Sequence, residues 1–150
     1  QIAAQEIVRR HLLGIIDDVP FSDQQAHAMI EKPAGGQFIL RKDETIIGSY
    51  AGPDGKITVA ILLPGEASSL PWKRALTWAK DQGGDLPNRI EALMLFQHHR
   101  DEFQREVYWT NEQRAEDSSY AWYQSFDIGD QDYWPQDFKL MARAVRRVTI

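Results

Sequence analysis

The sequence contains no cysteine. Disulfide bonds therefore do not hold this fold together, and both thiol catalysis and zinc sites with cysteine ligands are excluded. A cytosolic location fits a chain without cysteine, although the absence of cysteine does not exclude export. We therefore expect packing and hydrogen bonding to stabilise the fold.

Long apolar runs are missing as well. No stretch approaches the ~20 consecutive apolar residues that a transmembrane helix needs. Gln1–Arg10 also lacks the apolar region that signal peptides contain. The sequence therefore predicts neither a membrane partner nor an export signal.

Basic residues are fewer than acidic residues. The chain has 17 Lys and Arg against 22 Asp and Glu, which gives a net charge of -5. Nucleic-acid recognition relies on clusters of Lys and Arg that contact phosphates. Arg143, Arg146 and Arg147 form too short a cluster for this role, so we expect no nucleic-acid partner.

Apolar and aromatic residues are plentiful. The 150 residues are 43% hydrophobic and 11% aromatic, with five Trp. This composition supports one domain with a real core, with room for a small N-terminal element. Aromatic side chains also make good recognition surfaces, so some of them are candidates for binding.

The first part of the chain, residues 1–63, is predicted to combine helices with a β-hairpin. Apolar spacing favours helices over Ile2–Leu13 and Gln24–Ile30. Gln37–Leu63 is rich in β-branched residues, and Gly52–Gly55 is a strong turn signal. Strands are expected at Phe38–Leu40, Thr45–Ile47 and Ile57–Leu63. We interpret this part as an oligomerisation or attachment element that is partly integrated with the next domain.

The second part, residues 64–150, opens with a predicted loop and two predicted helices. The loop is Pro64–Leu70, and the first helix is Pro71–Lys80. Its inner face is expected to contain Trp72, Ala75, Leu76 and Ala79. Asn88 and Glu91 have the spacing of a capping box, which predicts the start of the second helix. For that helix we expect Ile90, Leu93, Met94, Phe96 and Phe103 to face inward.

Strands and loops are expected to follow. The predicted elements are a strand at Tyr108–Thr110, a polar loop at Arg114–Ser118, a strand at Tyr120–Phe126, a long loop at Ile128–Phe138 and a last strand at Leu140–Val148. Alternation in the strand Tyr120–Phe126 places Trp122, Gln124 and Phe126 on one face and Tyr123 on the other. With Trp122 and Phe126 in the core, Tyr123 is the best candidate for an exposed aromatic side chain.

Five blocks of this second part resemble one family when they are taken in order. They are Trp72–Ala79, Gly83–Leu93, Tyr108–Gln113, Tyr120–Gln131 and Ala142–Arg147. Together they are similar to the DUF1566 family, also called the Legionella collagen-like protein C-terminal (Lcl_C) domain, which is common in phage and prophage genomes. Asn88 and Asn111 depart from its pattern, which has Ser or Thr at the first position and Ser at the second.

This resemblance implies an α+β fold of the C-type-lectin-like class, in the variant shared with formylglycine-generating enzymes and phage receptor-binding proteins. Two helices would pack on a small twisted antiparallel sheet, and long loops would form a ligand surface. The formylglycine chemistry needs cysteine or copper, so it does not transfer to a chain without cysteine.

We find no catalytic signature and expect no enzyme. His98 and His99 are adjacent on a predicted helix and therefore point in different directions, which does not suit a metal pair. Asp127, Asp130 and Asp132 are spaced as oxygen ligands for calcium, but the chain lacks the twelve-residue calcium-loop pattern and its bidentate Glu. We therefore expect no cofactor, with calcium at these aspartates as the alternative.

The remaining constellation is aromatic and polar, and it predicts a binding protein. The candidate partner-binding residues are Asn111, Gln113, Tyr123, Gln124, Asp130, Gln131, Tyr133 and Trp134. Tyr and Trp anchor interfaces at low entropic cost, while amides and carboxylates add hydrogen bonds. The alternative is that these aromatics only pack their loop.

The resemblance implies a phage or prophage protein that acts in the bacterial host cytoplasm. Its expected partner is a host or phage protein, bound without catalysis. The alternatives are a carbohydrate-binding module and a receptor-binding or structural component of the virion. Self-association as a dimer or trimer also remains open.

Overall fold

A computed structural model describes residues 38–150 of the chain. The helices expected at Ile2–Leu13 and Gln24–Ile30 lie outside these residues. Over the described range the chain has two α-helices and eight strands, so the expected α+β class is confirmed. Neither α-helix there has the length and apolarity to cross a bilayer.

The elements follow one another in a simple order. They are β1 (Thr45–Ala51), β2 (Ile57–Leu62), β3 (Ala67–Leu70), α1 (Trp72–Asp81), α2 (Arg89–His99), a 3₁₀ turn (Arg100–Glu102), β4 (Val107–Arg114), β5 (Asp117–Ser125), β6 (Gln131–Pro135), β7 (Leu140–Ala142) and β8 (Val145–Thr149). They fall into two compact units. One unit contains residues 38–61 with Arg147–Ile150, and the other is Leu62–Arg146.

The first unit contains the predicted hairpin. Its three-stranded sheet has the order β1-β2-β8. At the turn, Gly52 N–H donates to the carbonyl of Lys56 at 2.8 Å, and Gly55 has a φ of 81°, which favours glycine. The strand predicted at Phe38–Leu40 is absent from the described residues. Phe38 and Leu40 instead pack as buried side chains against the sheet, ahead of a turn at residues 41–44.

The second unit is built on a five-stranded sheet with the order β3-β7-β4-β5-β6. Its pairings are antiparallel except for β4 with β7, which run parallel at Tyr108 and Met141. The sequence predicted loops for Pro64–Leu70 and Ile128–Phe138. Both predictions were too coarse, since these segments contain β3 and β6. Their polar residues are tolerated because hydrogen bonding to β7 and β5 holds the strands.

The predicted last strand, Leu140–Val148, is two strands that belong to different sheets. The break falls at Arg143, whose side chain is only 7% exposed. Its Nη1 donates to the carbonyl of Glu102 at 2.6 Å and its Nη2 to the carbonyl of Leu63 at 3.1 Å. Burying this guanidinium requires such acceptors, and these two carbonyls supply them at the point where the chain passes from β7 to β8.

Helix α1 confirms its predicted inner face. Pro71 precedes it, and Trp72, Ala75 and Ala79 are buried. The small alanines let the helix approach the sheet, where Trp109 and Ala121 belong to the same core cluster. The Trp72 indole donates to the carbonyl of Thr110 at 2.7 Å, so this large buried side chain leaves no polar group unpaired.

Helix α2 begins as predicted but faces the sheet differently. Asn88 Oδ1 accepts from the Glu91 N–H at 2.8 Å, and Glu91 Oε1 accepts from the Asn88 N–H at 2.9 Å, which completes the capping box. Leu95 is buried, whereas Ile90 is 56% and Leu93 50% exposed. The predicted inner face was therefore wrong for these two residues.

The rotation of α2 follows from its first turn. Glu91 is fully buried in the capping box, and Ala92 and Leu95, one and four residues later, are buried with it. The prediction that Phe96 and Phe103 face inward agrees with their ring contacts. Phe103 stacks on Phe126 at 4.0 Å between ring centroids, and Phe96 meets Phe126 edge-on at 5.9 Å.

Candidate functional site

Strands β5 and β6 bring aromatic and amide side chains to one face of the five-stranded sheet. Their antiparallel register pairs Trp122 with Tyr133 and Gln124 with Gln131. Directly opposed residues share a face, and alternation along β5 adds Tyr120 to it. Three aromatic rings therefore lie side by side, next to two glutamines.

Two arginines lie over these rings. The guanidinium carbon of Arg89 is 3.6 Å from the Trp122 ring centroid, and that of Arg114 is 3.9 Å from the Tyr133 centroid. The Tyr133 ring meets Trp122 and Tyr120 edge-on, at 5.1 and 5.9 Å. We call these five half-buried residues the cation–aromatic strip. Each cation–π contact contributes about 0.5–2 kcal/mol, so the strip is ordered without a ligand.

The backbone of Arg89 is held from two sides. It is the first residue of α2, where N–H groups lack partners within the helix. Its N–H donates to Oε2 of Glu112 on β4 at 2.7 Å, and its carbonyl accepts from Nε2 of Gln131 on β6 at 2.7 Å. Two strands thus fix the point from which the arginine side chain extends.

Two glutamines orient the arginine head group. Gln124 is 1% exposed, and its Nε2 donates to the carbonyls of Ser125 and Gly129, both at 3.0 Å. Its Oε1 accepts from Nε2 of Gln131 at 2.9 Å. Oε1 of Gln131 in turn accepts from Nε of Arg89 at 3.2 Å. We call Gln124 and Gln131 the glutamine relay, because they connect a buried loop backbone to a surface cation.

The two strip arginines differ in their anionic neighbours. Arg114 Nε lies 3.5 Å from Oε2 of Glu116, a mostly exposed carboxylate, and such surface pairs contribute little. Within residues 38–150, the ion pairs closer than 4.0 Å do not include Arg89. A ring face and an amide therefore accommodate the Arg89 charge, without a carboxylate.

An open groove of about 580 Å³ adjoins the strip at Tyr120. Its other lining residues are Lys73, Ser118, Ser119, Pro135, Gln136 and Asp137. The Gln136 side chain donates to the carbonyl of Ser118 at 2.6 Å and so ties the groove walls together. The groove offers room for part of a partner beside the aromatic rings.

Tyr123 does not lie where the sequence predicted. It is 6% exposed and belongs to the core cluster with Trp109 and Ala121, while its neighbour Trp122 is half-buried on the opposite face. The prediction of an exposed Tyr123 was wrong, whereas Phe126 is buried in the core as expected. Both faces of β5 are covered here, and alternation gives the period but not which side faces α1. Burial raises the pKa of Tyr123 above its ordinary value, and the nearby charges of Asp132 and Asp130 add to this shift.

Trp134 lies on the Tyr123 side of β6 rather than with Tyr133. Its ring centroid is 4.7 Å from that of Tyr123 and 5.4 Å from that of Phe138. It is half-buried and packs against the core. Tyr133 and Trp134 were predicted to act together, but adjacent residues on a strand point to opposite faces.

The other predicted residues are spread over the unit. Asn111 Nδ2 donates to Oδ2 of Asp85 at 2.8 Å, which ties β4 to the segment before α2. Gln113 and Asp130 are exposed. The structure therefore brings Gln124, Gln131 and Tyr133 together and leaves Asn111, Gln113, Asp130 and Trp134 apart from them.

The aspartates considered for calcium do not converge. No group of three or more His, Asp or Glu side chains within residues 38–150 has the geometry of a metal site. Asp127 instead pairs with Arg105 at 2.9 Å. The loop is shaped by that pair and by the Gln124 side chain, which donates to the carbonyl of Gly129.

Among the described residues, Tyr108 has a strongly raised pKa, and it lies on α2's side of the sheet among aromatic rings. The Tyr108 hydroxyl donates to Glu66 and accepts from the Gln104 N–H at 3.0 Å. The Phe103 and Phe126 rings lie 5.0 and 5.1 Å from its own. Burial, followed by the hydrogen bond to Glu66, raises the pKa of Tyr108 well above its ordinary value of 10.0. These contacts describe a structural anchor.

The sequence did not identify Arg89, Arg114, Tyr120 and Trp122 as site residues. Arg89 follows a recognisable helix cap, so its place at the start of α2 was visible in the sequence. Its neighbour Trp122 was not visible, because their contact depends on how β5 pairs and faces α2. No protein-family model matches the chain, and no curated protein matches it significantly.

Proposed function

We propose that this chain is a non-catalytic binding protein that recognises a protein partner through the cation–aromatic strip. The proposal depends on one observation: the neighbouring rings of Trp122 and Tyr133 lie between two guanidinium groups, those of Arg89 and Arg114, on one half-buried face. Trp, Tyr and Arg are the residue types that dominate binding energy at protein interfaces. Their mutual contacts fix them before binding, which lowers the entropy lost on association.

A protein partner fits this surface better than a glycan does. Sugar rings stack on open aromatic faces, as bases do. In the strip, Arg89 lies over one face of Trp122 and Arg114 over one face of Tyr133. These arginines leave less ring face for a sugar, and they add guanidinium groups, which suit the carbonyls and carboxylates of a protein.

The proposal extends to the family and its setting. We propose that the second unit is a DUF1566 domain with the C-type-lectin-like fold, from a phage or prophage protein that acts in the host cytoplasm on a host protein. Support comes from the five ordered sequence blocks and from two helices followed by strands that pair mainly antiparallel. A role in the virion is the alternative.

Affinity capture tests the proposed surface. The wild-type protein, Trp122→Ala with Arg114→Gln, and the control Phe138→Ala are immobilised and exposed to one bacterial lysate, after thermal melting shows that all three are folded. Phe138 is a matched aromatic control, because it is 46% exposed and contacts Trp134 on the other face. We expect a protein that wild type and control retain and the strip variant loses.

Two results would contradict the proposal. One is an identical set of captured proteins for all three forms, which would place any interface elsewhere. The other is retention of no protein together with specific binding on a glycan array, which would favour the carbohydrate alternative.

A further inference from the structure

We propose that Arg89 is the anchor for a carboxylate of the partner, so that the partner presents an Asp or Glu side chain to this point of the strip. The inference rests on the proposed function and names the chemistry that its surface recognises. It depends on how the guanidinium is held and on which of its donors are used.

The guanidinium has one face and one donor engaged. Its carbon lies 3.6 Å from the Trp122 centroid, and its Nε donates to Gln131. Within residues 38–150, Nη1 and Nη2 have no hydrogen-bond acceptor, and neither is a buried unpaired atom, so both reach solvent. Two parallel donors at the end of a fixed planar group match the two oxygens of a carboxylate.

The glutamine relay makes this fork rigid. Gln131 cannot turn freely, because its Nε2 is held by the Arg89 carbonyl and by Gln124. Gln124 is itself buried and bonded to the loop backbone. A free arginine loses much side-chain entropy when it is immobilised on binding, and this one has already lost most of it.

Other arginines of the unit show the contrast. Arg105 contacts Asp127 at 2.9 Å, and Arg114 lies 3.5 Å from Glu116. Arg143 is buried and donates to two carbonyls. Arg89 has the better-defined orientation of the two strip arginines, and its guanidinium forms no ion pair within residues 38–150.

A carboxylate fits better than a phosphate group. A phosphate dianion is usually held by several donors, often free N–H groups at a helix N-terminus. Here two of those groups are occupied, since the Arg89 N–H donates to Glu112 and the Glu91 N–H to Asn88. The Glu112 carboxylate at this helix end also repels a doubly charged phosphate more strongly than a singly charged carboxylate.

Selection from a random peptide display library provides the test. The full chain is used as wild type, Arg89→Gln, Arg89→Lys, Trp122→Ala and the matched control Arg105→Gln. We expect wild type and control to select peptides with an Asp or Glu beside an apolar residue. The peptides that Arg89→Gln selects should show no preference for Asp or Glu at that position. For one selected peptide, we expect Arg89→Gln to bind about tenfold or more weakly, with Arg89→Lys between the two, because Lys lacks the fork.

The outcomes separate this inference from the proposed function. One outcome is that Trp122→Ala selects no peptides while Arg89→Gln selects the same acidic peptides as wild type. In that case the carboxylate anchor is wrong, and the proposed binding surface is supported. If Trp122→Ala selects the same peptides as wild type, the strip itself is wrong.

A second readout gives the inference a test without a peptide. The Nε–Hε signal of Arg89 is followed by NMR during titration with acetate, methyl phosphate or acetamide at constant ionic strength. We expect a saturable shift with acetate, a weaker one with methyl phosphate and none with acetamide, the neutral isostere of acetate. An absent carboxylate response, or a stronger phosphate response, would overturn the assignment.

Discussion

The side chain of Gln131 joins the buried amide of Gln124 to the surface guanidinium of Arg89. It donates to Gln124 Oε1 at 2.9 Å and accepts from Arg89 Nε at 3.2 Å. Gln124 is 1% exposed, whereas Arg89 is half-buried. Hydrogen bonds from the buried Gln124 through Gln131 therefore hold the guanidinium of Arg89 in one orientation. A binding residue that is fixed before the partner arrives loses less entropy on association.

The relay predicts a measurable stability cost. Gln124→Met keeps the length of the side chain but removes the donor to Gly129 and the acceptor for Gln131. We expect a loss of about 1–3 kcal/mol in the free energy of unfolding, because buried polar groups lose their partners. Urea denaturation measures this loss. Gln97→Met, at an exposed position of α2, is the matched control and should change stability little.

The two leucines of α2 give a second prediction. Leu95 is fully buried and Leu93 is 50% exposed on the same helix. We expect Leu95→Ala to lower the free energy of unfolding by about 2–5 kcal/mol, because it removes buried methyl groups and leaves a cavity. Leu93→Ala should cost far less, since its side chain is half in water. Equal losses for the two variants would mean that the helix is rotated from the orientation described.

Local signals in the sequence were reliable where one short segment decides the structure. The Asn88–Glu91 capping box and the Gly52–Gly55 turn each depend on a few neighbouring residues, and both form as expected. The inner face of α1 was predictable because its large and small apolar residues lie on one side. Such features need no knowledge of distant strands.

The candidate site was less predictable, because distant pairing assembles it. Residues 131–135 contain Asp and Pro and look like a loop, yet they form β6 when β5 supplies the hydrogen bonds. Alternation around Trp122 and Tyr123 was visible, but which of them faces α1 depends on the whole core. For α2, apolar residues occur on several sides, so the pattern could not fix its rotation.

The capping box at the start of α2 supports a prediction about the stability of the fold. Asn88→Ala removes the acceptor for the Glu91 N–H. We expect it to lower the free energy of unfolding by about 0.5–2 kcal/mol. Asn88→Asp keeps an acceptor at the helix N-terminus and should remain close to wild type in the same thermal or urea experiment. A larger loss for Asn88→Asp than for Asn88→Ala would show that the cap does not stabilise the helix in this way.

The buried tyrosines make stability depend on pH in alkaline solution. Burial raises the pKa of Tyr108 above its ordinary value of 10.0, and burial with nearby aspartates raises that of Tyr123. Each phenol therefore keeps its proton in the folded chain at a pH where the unfolded chain releases it. The folded state then binds more protons than the unfolded state, so the free energy of unfolding falls as the pH rises above about 10.

Substitution isolates the contribution of Tyr108 to this dependence. Urea denaturation at about pH 9 and about pH 11 brackets the ordinary tyrosine pKa. Because Tyr108→Phe removes one phenol that must be neutral in the folded chain, we expect its stability to fall less between these two values than that of wild type. Tyr120→Phe, which changes a half-buried ring of the strip, is the matched control. If Tyr108→Phe loses as much stability as wild type over this interval, the buried phenol is not the group that couples folding to alkaline pH.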